Sequence, residues 1–261
     1  MAEQAALAIL NALLITKKKV RFRTLHACLT DIESLKTLSD KTKEKSLVLH
    51  EDLVKMVNNF KDNQKFLSGL MADLYLSSRS EFSELLDVER PEIDLLKLYE
   101  ENKIAYFALD LQGYGDTAKR MGRMILQDLK TVSSHIQSQT QVSKRHFFPV
   151  FVDDASSFLD LNFVDFLSKS RAARIAIAVF HQSLADLSFR LAPNFQQQVI
   201  DNTNVKIVLR QDDPWAVEKF TKIAGTRRTM IPTYQTEDRM TGKGFTGTGS
   251  IREGQTFRIE P

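Results

Sequence analysis

Phe147-Phe-Pro-Val-Phe-Val-Asp153-Asp154 is the stretch on which the fold turns. An uninterrupted apolar run stops at two adjacent carboxylates. A run of this length is the pattern of a strand covered on both faces, as in a parallel sheet. Three other runs share it: Ile104-Ala-Tyr-Phe-Ala-Leu109, residues 175–180 and residues 205–209. Helical spacing fills residues 116–137, 162–171, 194–201 and 214–224, and Pro214 is well placed in the first turn of the last. Strands alternating with helices predict βαβ units, hence an α/β fold with a parallel sheet.

In open α/β sheets, ligands bind beyond the carboxyl ends of the strands. Each predicted strand delivers polar groups there: Asp110, then Asp153 and Asp154, then His181-Gln182-Ser183, then Arg210-Gln-Asp-Asp213. An apolar strand ending in paired acids is the pattern of the Walker B element of P-loop NTPases. There the first acid holds the Mg²⁺ shell and the second orients or deprotonates the attacking water. The other reading is that Asp153 and Asp154 cap a following helix. The short pattern suits both. Gln182 is either an amide that senses a γ-phosphate or a surface amide. Arg210 either reaches a phosphate or is solvated. The phosphate-cradling G-x-x-x-x-G-K-[ST] loop does not occur in these residues. Gly242-Lys243 is followed by Gly244 and preceded, five residues ahead of Gly242, by Glu237, so it reads as a turn. The chain holds half of an ATPase site.

Outward from this region the texture changes. The first 90 residues contain no proline and a single glycine, Gly69. Breakers punctuate chains, so their scarcity predicts helices. Leu53, Met56, Val57 and Phe60 recur at helical spacing, as do Leu67, Leu70, Met71, Leu74 and Tyr75. Thr24 is placed to cap a helix running through Cys28, and Asp31 one running through Leu38. We expect an all-α domain over residues 1–64 and the α/β domain over residues 65–261. At the far end, residues 229–236 and 249–259 read as arms of a β-hairpin around Thr241-Gly-Lys-Gly244.

Composition bounds the remaining chemistry. Of 261 residues, 43% are hydrophobic and 26% charged, which suits a globular chain and excludes wholesale disorder. A single cysteine, Cys28, excludes an intrachain disulfide and a cysteine metal cluster. A net charge of +3 is too mild to argue nucleic-acid binding by itself. The apolar stretch at residues 5–15 is broken by Asn11, is too short to span a bilayer and lacks a preceding basic region, so it reads as a buried or docking helix. The histidines, His26, His50, His135, His146 and His181, lack HxH or HxxxH spacing. Ser156-Ser157 lacks a G-x-S-x-G frame. Lys17, Lys18, Lys19, Arg21 and Arg23 put five basic residues into seven, with Phe22 between them. Such a run suits nucleic-acid phosphates, but reads first as a solvated loop between helices.

Several motifs in one order resemble TraD/TraG-like type IV coupling proteins. They are Val150-Phe-Val-Asp-Asp-Ala-Ser-Ser-Phe158, Phe163-Val-Asp-Phe-Leu-Ser-Lys-Ser-Arg171, His181-Gln-Ser-Leu-Ala-Asp-Leu187, Asn202-Thr-Asn-Val-Lys-Ile-Val-Leu-Arg-Gln-Asp-Asp-Pro214 and Gly247-Thr-Gly-Ser-Ile-Arg-Glu253, continuing to Phe257-Arg-Ile-Glu-Pro261. The resemblance runs from about Phe66 to the end. It implies a partial RecA-like nucleotide-binding domain from a hexameric ATPase at the cytoplasmic face of the bacterial inner membrane. Such proteins bring relaxase–DNA complexes or effector proteins to the secretion channel. The implied cofactors of the complete protein are ATP and Mg²⁺. Asp153 would be the magnesium acid, Asp154 would stand where the family usually has Glu, Gln182 would be the sensor amide and Arg210 an arginine finger. The first 64 residues would correspond to the family's all-α insertion, implicated in DNA or substrate recognition. Walker A and the membrane anchor precede that insertion in the family and do not occur here, so we expect a fragment that is inactive alone. The alternatives are a non-enzymatic DNA- or substrate-binding module and a fragment of an FtsK/HerA-like DNA translocase.

Overall fold

The computed structural model describes residues 2–79, 83–88, 91–188, 194–239 and 242–259, and the side chains among these except at positions 2 and 236–247. The chain divides into two compact units, Met1–Lys103 and Ile104–Pro261. The boundary expected at residues 64 and 65 falls inside a continuous helix, Phe60–Arg79.

The first unit is helical: α1 (Ala2–Ile15), α2 (Phe22–Thr30), α3 (Ile32–Lys43), α4 (Leu47–Asn58), α5 (Phe60–Arg79), α6 (Ser83–Leu86) and α7 (Leu95–Glu100). Its core gathers Ile9, Leu13, Leu29, Leu35, Leu38, Leu53 and Leu67, with Met56, Val57 and Phe60 packed against it. Of these, Leu53, Met56, Val57, Phe60 and Leu67 are positions that the three- and four-residue spacing marked, because that spacing puts them on one helix face. The stretch at residues 5–15 is α1, and Ile9, Ala12 and Leu13 bury its inner face.

Two caps set the helix starts. Asp31 accepts from the backbone N–H groups of Glu33 and Ser34 and from the Ser34 hydroxyl, opening α3 as expected. Thr24 does not cap α2. That helix begins at Phe22, and Arg21 at its cap position offers no acceptor. The acceptor comes from far along the chain: Asp87 Oδ1 accepts the Arg23 backbone N–H at 3.4 Å, and Asp87 Oδ2 lies 3.3 Å from Arg23 Nε as an ion pair. Its side chain is only 1% exposed. A distant carboxylate thus serves an orphan N–H and complements the positive end of the helix dipole.

The second unit opens with residues 104–110 and continues through α8 (Leu111–Gln139), β1 (Phe148–Val152), α9 (Leu161–Ser170), β2 (Ile175–Val179), α10 (Phe195–Asn202), α11 (Pro214–Ala224), β3 (Thr226–Arg239) and β4 (Gly242–Phe257). β1 and β2 pair in parallel, from Phe148 opposite Ile175 to Val152 opposite Val179. With α9 between them they form the predicted βαβ unit. β3 and β4 form the expected antiparallel hairpin, in register from Thr226 opposite Phe257. Thr241 of the expected turn lies outside the described residues. The fold is therefore mixed α/β and mostly helical, with a small parallel sheet and a terminal hairpin.

Two expectations are corrected. Residues 104–109 and 205–209 carry no regular structure. Ile104 is 96% exposed and Ile207 86%. Strand propensity is realised through pairing and packing, and these runs have no strand beside them. Nor is β1 covered on both faces: Phe151 is 72% exposed, while Val152 on the opposite face is buried. Among the described residues the parallel sheet has two strands, not four.

α8 packs closely near its middle. A Cβ on Gly122 would stand 2.2 Å from Cδ1 of the buried Phe158 ring. Alanine at a helix position ordinarily gains about 1 kcal/mol over glycine, but forcing a methyl into a packed site costs about 1–3 kcal/mol. Gly122→Ala should therefore lower unfolding stability. Gly69→Ala in α5, where a Cβ meets nothing within 4 Å, should raise it by about 1 kcal/mol. Paired urea titrations measure both, and a stabilised Gly122→Ala would refute the packing account.

The Asp31 cap also has a pH signature. The Ser34 hydroxyl, then the Ser34 N–H, hold its carboxyl below the ordinary carboxylate value. A depressed folded-state pKa adds stability above the unfolded value, about 3.9, and that increment is lost as pH falls through the folded value. Asp31→Asn should therefore flatten the fall in stability below about pH 4 and leave its shape near neutrality unchanged. Thermal melts of both proteins across this range measure it.

Candidate functional site

The sheet edge is assembled by backbone hydrogen bonds that continue the β1–β2 ladder past its last paired residues. The Phe180 N–H donates to the Val152 carbonyl at 2.9 Å, and the Ala155 N–H donates to the Phe180 carbonyl at 2.9 Å. These bonds bind the two strand exits together. Asp153 and Asp154 leave β1 where His181 and Gln182 leave β2, so residues almost thirty positions apart share one edge.

The acid pair sits on a sharp turn. Asp154 is in the left-handed region, φ 45° and ψ 43°, a conformation that aspartate tolerates better than most residues. Its N–H donates to Asp153 Oδ1 at 3.0 Å. Both side chains are exposed. Neither caps a helix. The short turn Ala155–Ser157 has no side-chain cap, and α9 is capped by Asp160, which accepts from the Asn162 and Phe163 N–H groups. The capping alternative is thus taken by another residue. Two exposed carboxylates on a tight turn can share a hydrated divalent cation, and one of them can accept a proton from water.

Gln182 is exposed at the start of the next loop, between half-buried His181 and Ser183. That loop is held by a reciprocal cap: Asp186 accepts the Ser183 N–H, and the Ser183 hydroxyl accepts the Ala185 N–H. Arg210 is not at a strand end, because residues 205–209 do not form a strand. It is 88% exposed, and its Nε donates to Asp212 at 3.0 Å. The structure brings together Asp153, Asp154 and Gln182, while Arg210 engages its own neighbour. A hollow between α8 and α9, lined by Arg123, Lys130, Phe158, Asp160 and Phe163, does not include the acid pair. Among the described residues no three His, Cys, Asp or Glu side chains are grouped to hold a metal, and no helix is long and apolar enough to cross a membrane.

The basic run divides in two. Lys17, Lys18 and Lys19 form the turn between α1 and α2, where Lys17 and Lys19 are exposed. Arg21 is half-buried at the entry to α2. Arg23 is committed to Asp87. Sequence reading did not pair these two, since 64 positions separate them and no local pattern links them. It also missed Lys45, whose ammonium donates to the Ile15 carbonyl at 3.1 Å and so joins the turn at the end of α1.

The Arg23–Asp87 contact predicts a measurable asymmetry. Asp87→Ala removes a buried acceptor from a cap and an ion pair and should cost about 2–3 kcal/mol. Arg23→Ala leaves the carboxylate its backbone donor and should cost less. A double-mutant cycle in urea should return a favourable coupling energy, and additive losses would show that the pair contributes nothing.

Residues 148–258 match a family model described as the TraM recognition site of TraD and TraG. No curated protein and no solved structure matches the chain. The match covers the span from β1 to just past β4.

Proposed function

We propose, from the TraD/TraG-like region that this chain carries over residues 148–258, that it is part of a coupling protein of conjugation or type IV secretion. In that role ATP hydrolysis drives delivery of DNA or protein substrates to the secretion channel. The family match carries the reading. The shared edge that holds Asp153, Asp154 and Gln182 inside the matched residues supports it. A TraM-type relaxosome protein is the proposed partner, on the description of the matching model. The proposed setting is a homo-hexamer with a RecA-like core at the cytoplasmic face of the inner membrane.

The acid edge fits its proposed group in part. Asp153 would hold Mg²⁺ through water, and Asp154, shorter than the usual Glu, would accept the proton of the attacking water. Gln182 would donate its amide to the γ-phosphate. Arg210, exposed and tethered only to Asp212, would act across a subunit interface. When bound, Mg²⁺ would neutralise charge on the β- and γ-phosphates. The sequence contains no glycine-rich phosphate loop, so those phosphates would be cradled by residues outside it. A second reading, a binding module that needs no hydrolysis, draws on the exposed lysine turn at Lys17–Lys19.

In donor cells carrying the complete gene, Asp153→Ala should abolish substrate transfer at unchanged protein level, and undiminished transfer would overturn the motor reading. The purified 261-residue chain should turn over little Mg-ATP. Robust turnover abolished by Asp153→Ala would overturn the division of the site between this chain and residues beyond it.

A further inference from the structure

The end of the parallel sheet opposite the acid edge is basic. Residues 129–152 contain no acid, and residues 166–180 contain none either. The two loops that lead into β1 and β2, with the last turn of α9, carry Lys144, Arg145, Lys169, Arg171 and Arg174. β1, five residues and about 17 Å long, separates this end from Asp153 and Asp154.

Hydrogen bonds stitch the two loops into one surface. Arg145 donates from Nη1 to the Ala172 carbonyl at 2.7 Å, from Nη2 to Gln137 at 2.9 Å and from Nε to Thr140 at 3.0 Å. Arg174 donates from Nη1 to the Arg145 carbonyl at 2.6 Å. The Phe148 N–H donates to the Arg174 carbonyl at 3.1 Å, which sets Phe147 beside Arg174. Part of the charge is used internally. Arg145 is spent on carbonyls at the end of α8 and in the turn after α9, and Lys169 pairs with Asp165 at 3.6 Å. Lys144 and Arg171 are exposed, and among the described residues neither meets an acid. Two apolar side chains stand among these cations: Val142 is 64% exposed and Phe147 66%.

We propose that this basic end of the βαβ unit, Lys144, Arg171 and Arg174 with Val142 and Phe147 among them, docks on an anionic lipid surface. The cations meet lipid phosphates, and the two apolar side chains enter the headgroup layer. The same surface repels the acid pair at the far end, so the charge separation along β1 fixes the orientation of the unit. A nucleic acid is the rival polyanion. A single strand, however, uses a succession of stacking faces, and these two loops offer one exposed aromatic ring, Phe147. A duplex backbone gains nothing from Val142 or Phe147. The contact needs neither hydrolysis nor a membrane-spanning helix, so it stands apart from the motor reading.

The test uses the full 261-residue chain and sedimentation with phosphatidylcholine vesicles, with and without phosphatidylglycerol, across a salt series. Binding should require phosphatidylglycerol and weaken with salt. Lys144→Ala and Arg171→Ala should each bind about fivefold more weakly, with a shallower salt dependence. Phe147→Ser should also weaken binding severalfold but keep the wild-type salt dependence, because it removes apolar contact alone. Lys17→Ala, exposed in the turn after α1, should leave binding unchanged. Changes at the three exposed docking positions should leave the melting temperature at the wild-type value. No binding to phosphatidylglycerol vesicles at low salt would overturn the proposal. So would vesicle binding that survives the Lys144, Arg171 and Phe147 changes. Oligonucleotide binding that those changes abolish, with vesicle binding untouched by them, would assign this end to nucleic acid instead.

Discussion

Two hydrogen bonds beyond the last paired residues of the parallel ladder hold the candidate site together. Through Phe180 N–H to Val152 and Ala155 N–H to Phe180, the exits of β1 and β2 become one rigid edge. The left-handed turn at Asp154 lies between two residues that this ladder holds, Val152 and Ala155. The α9 crossover supports the same edge from the buried face, with Phe163 and Phe166 in the core and Asp160 closing the helix start. Without the ladder, the acid pair and the amide would be separate features of two loops.

The helical unit follows a different constraint. Its helices have well-patterned apolar faces, but their ends need acceptors and compensating charge that local sequence does not always supply. Asp31 solves this locally for α3. Asp87 solves it at long range for α2 and removes Arg23 from the basic run in doing so. Lys45 adds a cation at the end of α1. The electrostatic surface of this unit is therefore a product of helix-end chemistry as much as of the lysine run itself.

Much of the architecture was legible in local pattern. Helical spacing marked Leu53, Met56, Val57 and Phe60, all packed in or against the core, and Pro214 opened α11 where its fixed φ suits a helix start. Apolar runs ending in polar residues identified β1 and β2 correctly. The same pattern at residues 104–109 and 205–209 misled, because an apolar run states a capacity for pairing and not the presence of a neighbour. Thr24 misled for a related reason: a capping residue type is informative only if the helix starts beside it.

Sequence by itself determined the helix faces, the βαβ unit, the terminal hairpin, the Asp31 cap and the acid pair at a strand end, because these depend on neighbours within a turn or a strand. It also carried the motif order that the family match bears out over residues 148–258. Tertiary structure alone decided that Asp160 caps α9 in place of the acid pair, that Asp87 claims Arg23, that Lys45 donates to the Ile15 carbonyl and that Arg210 turns to Asp212. Each of these matches one charged or polar group to one of several possible partners. Such choices depend on which groups the packed chain brings within about 3 Å, a distance that residue order does not encode.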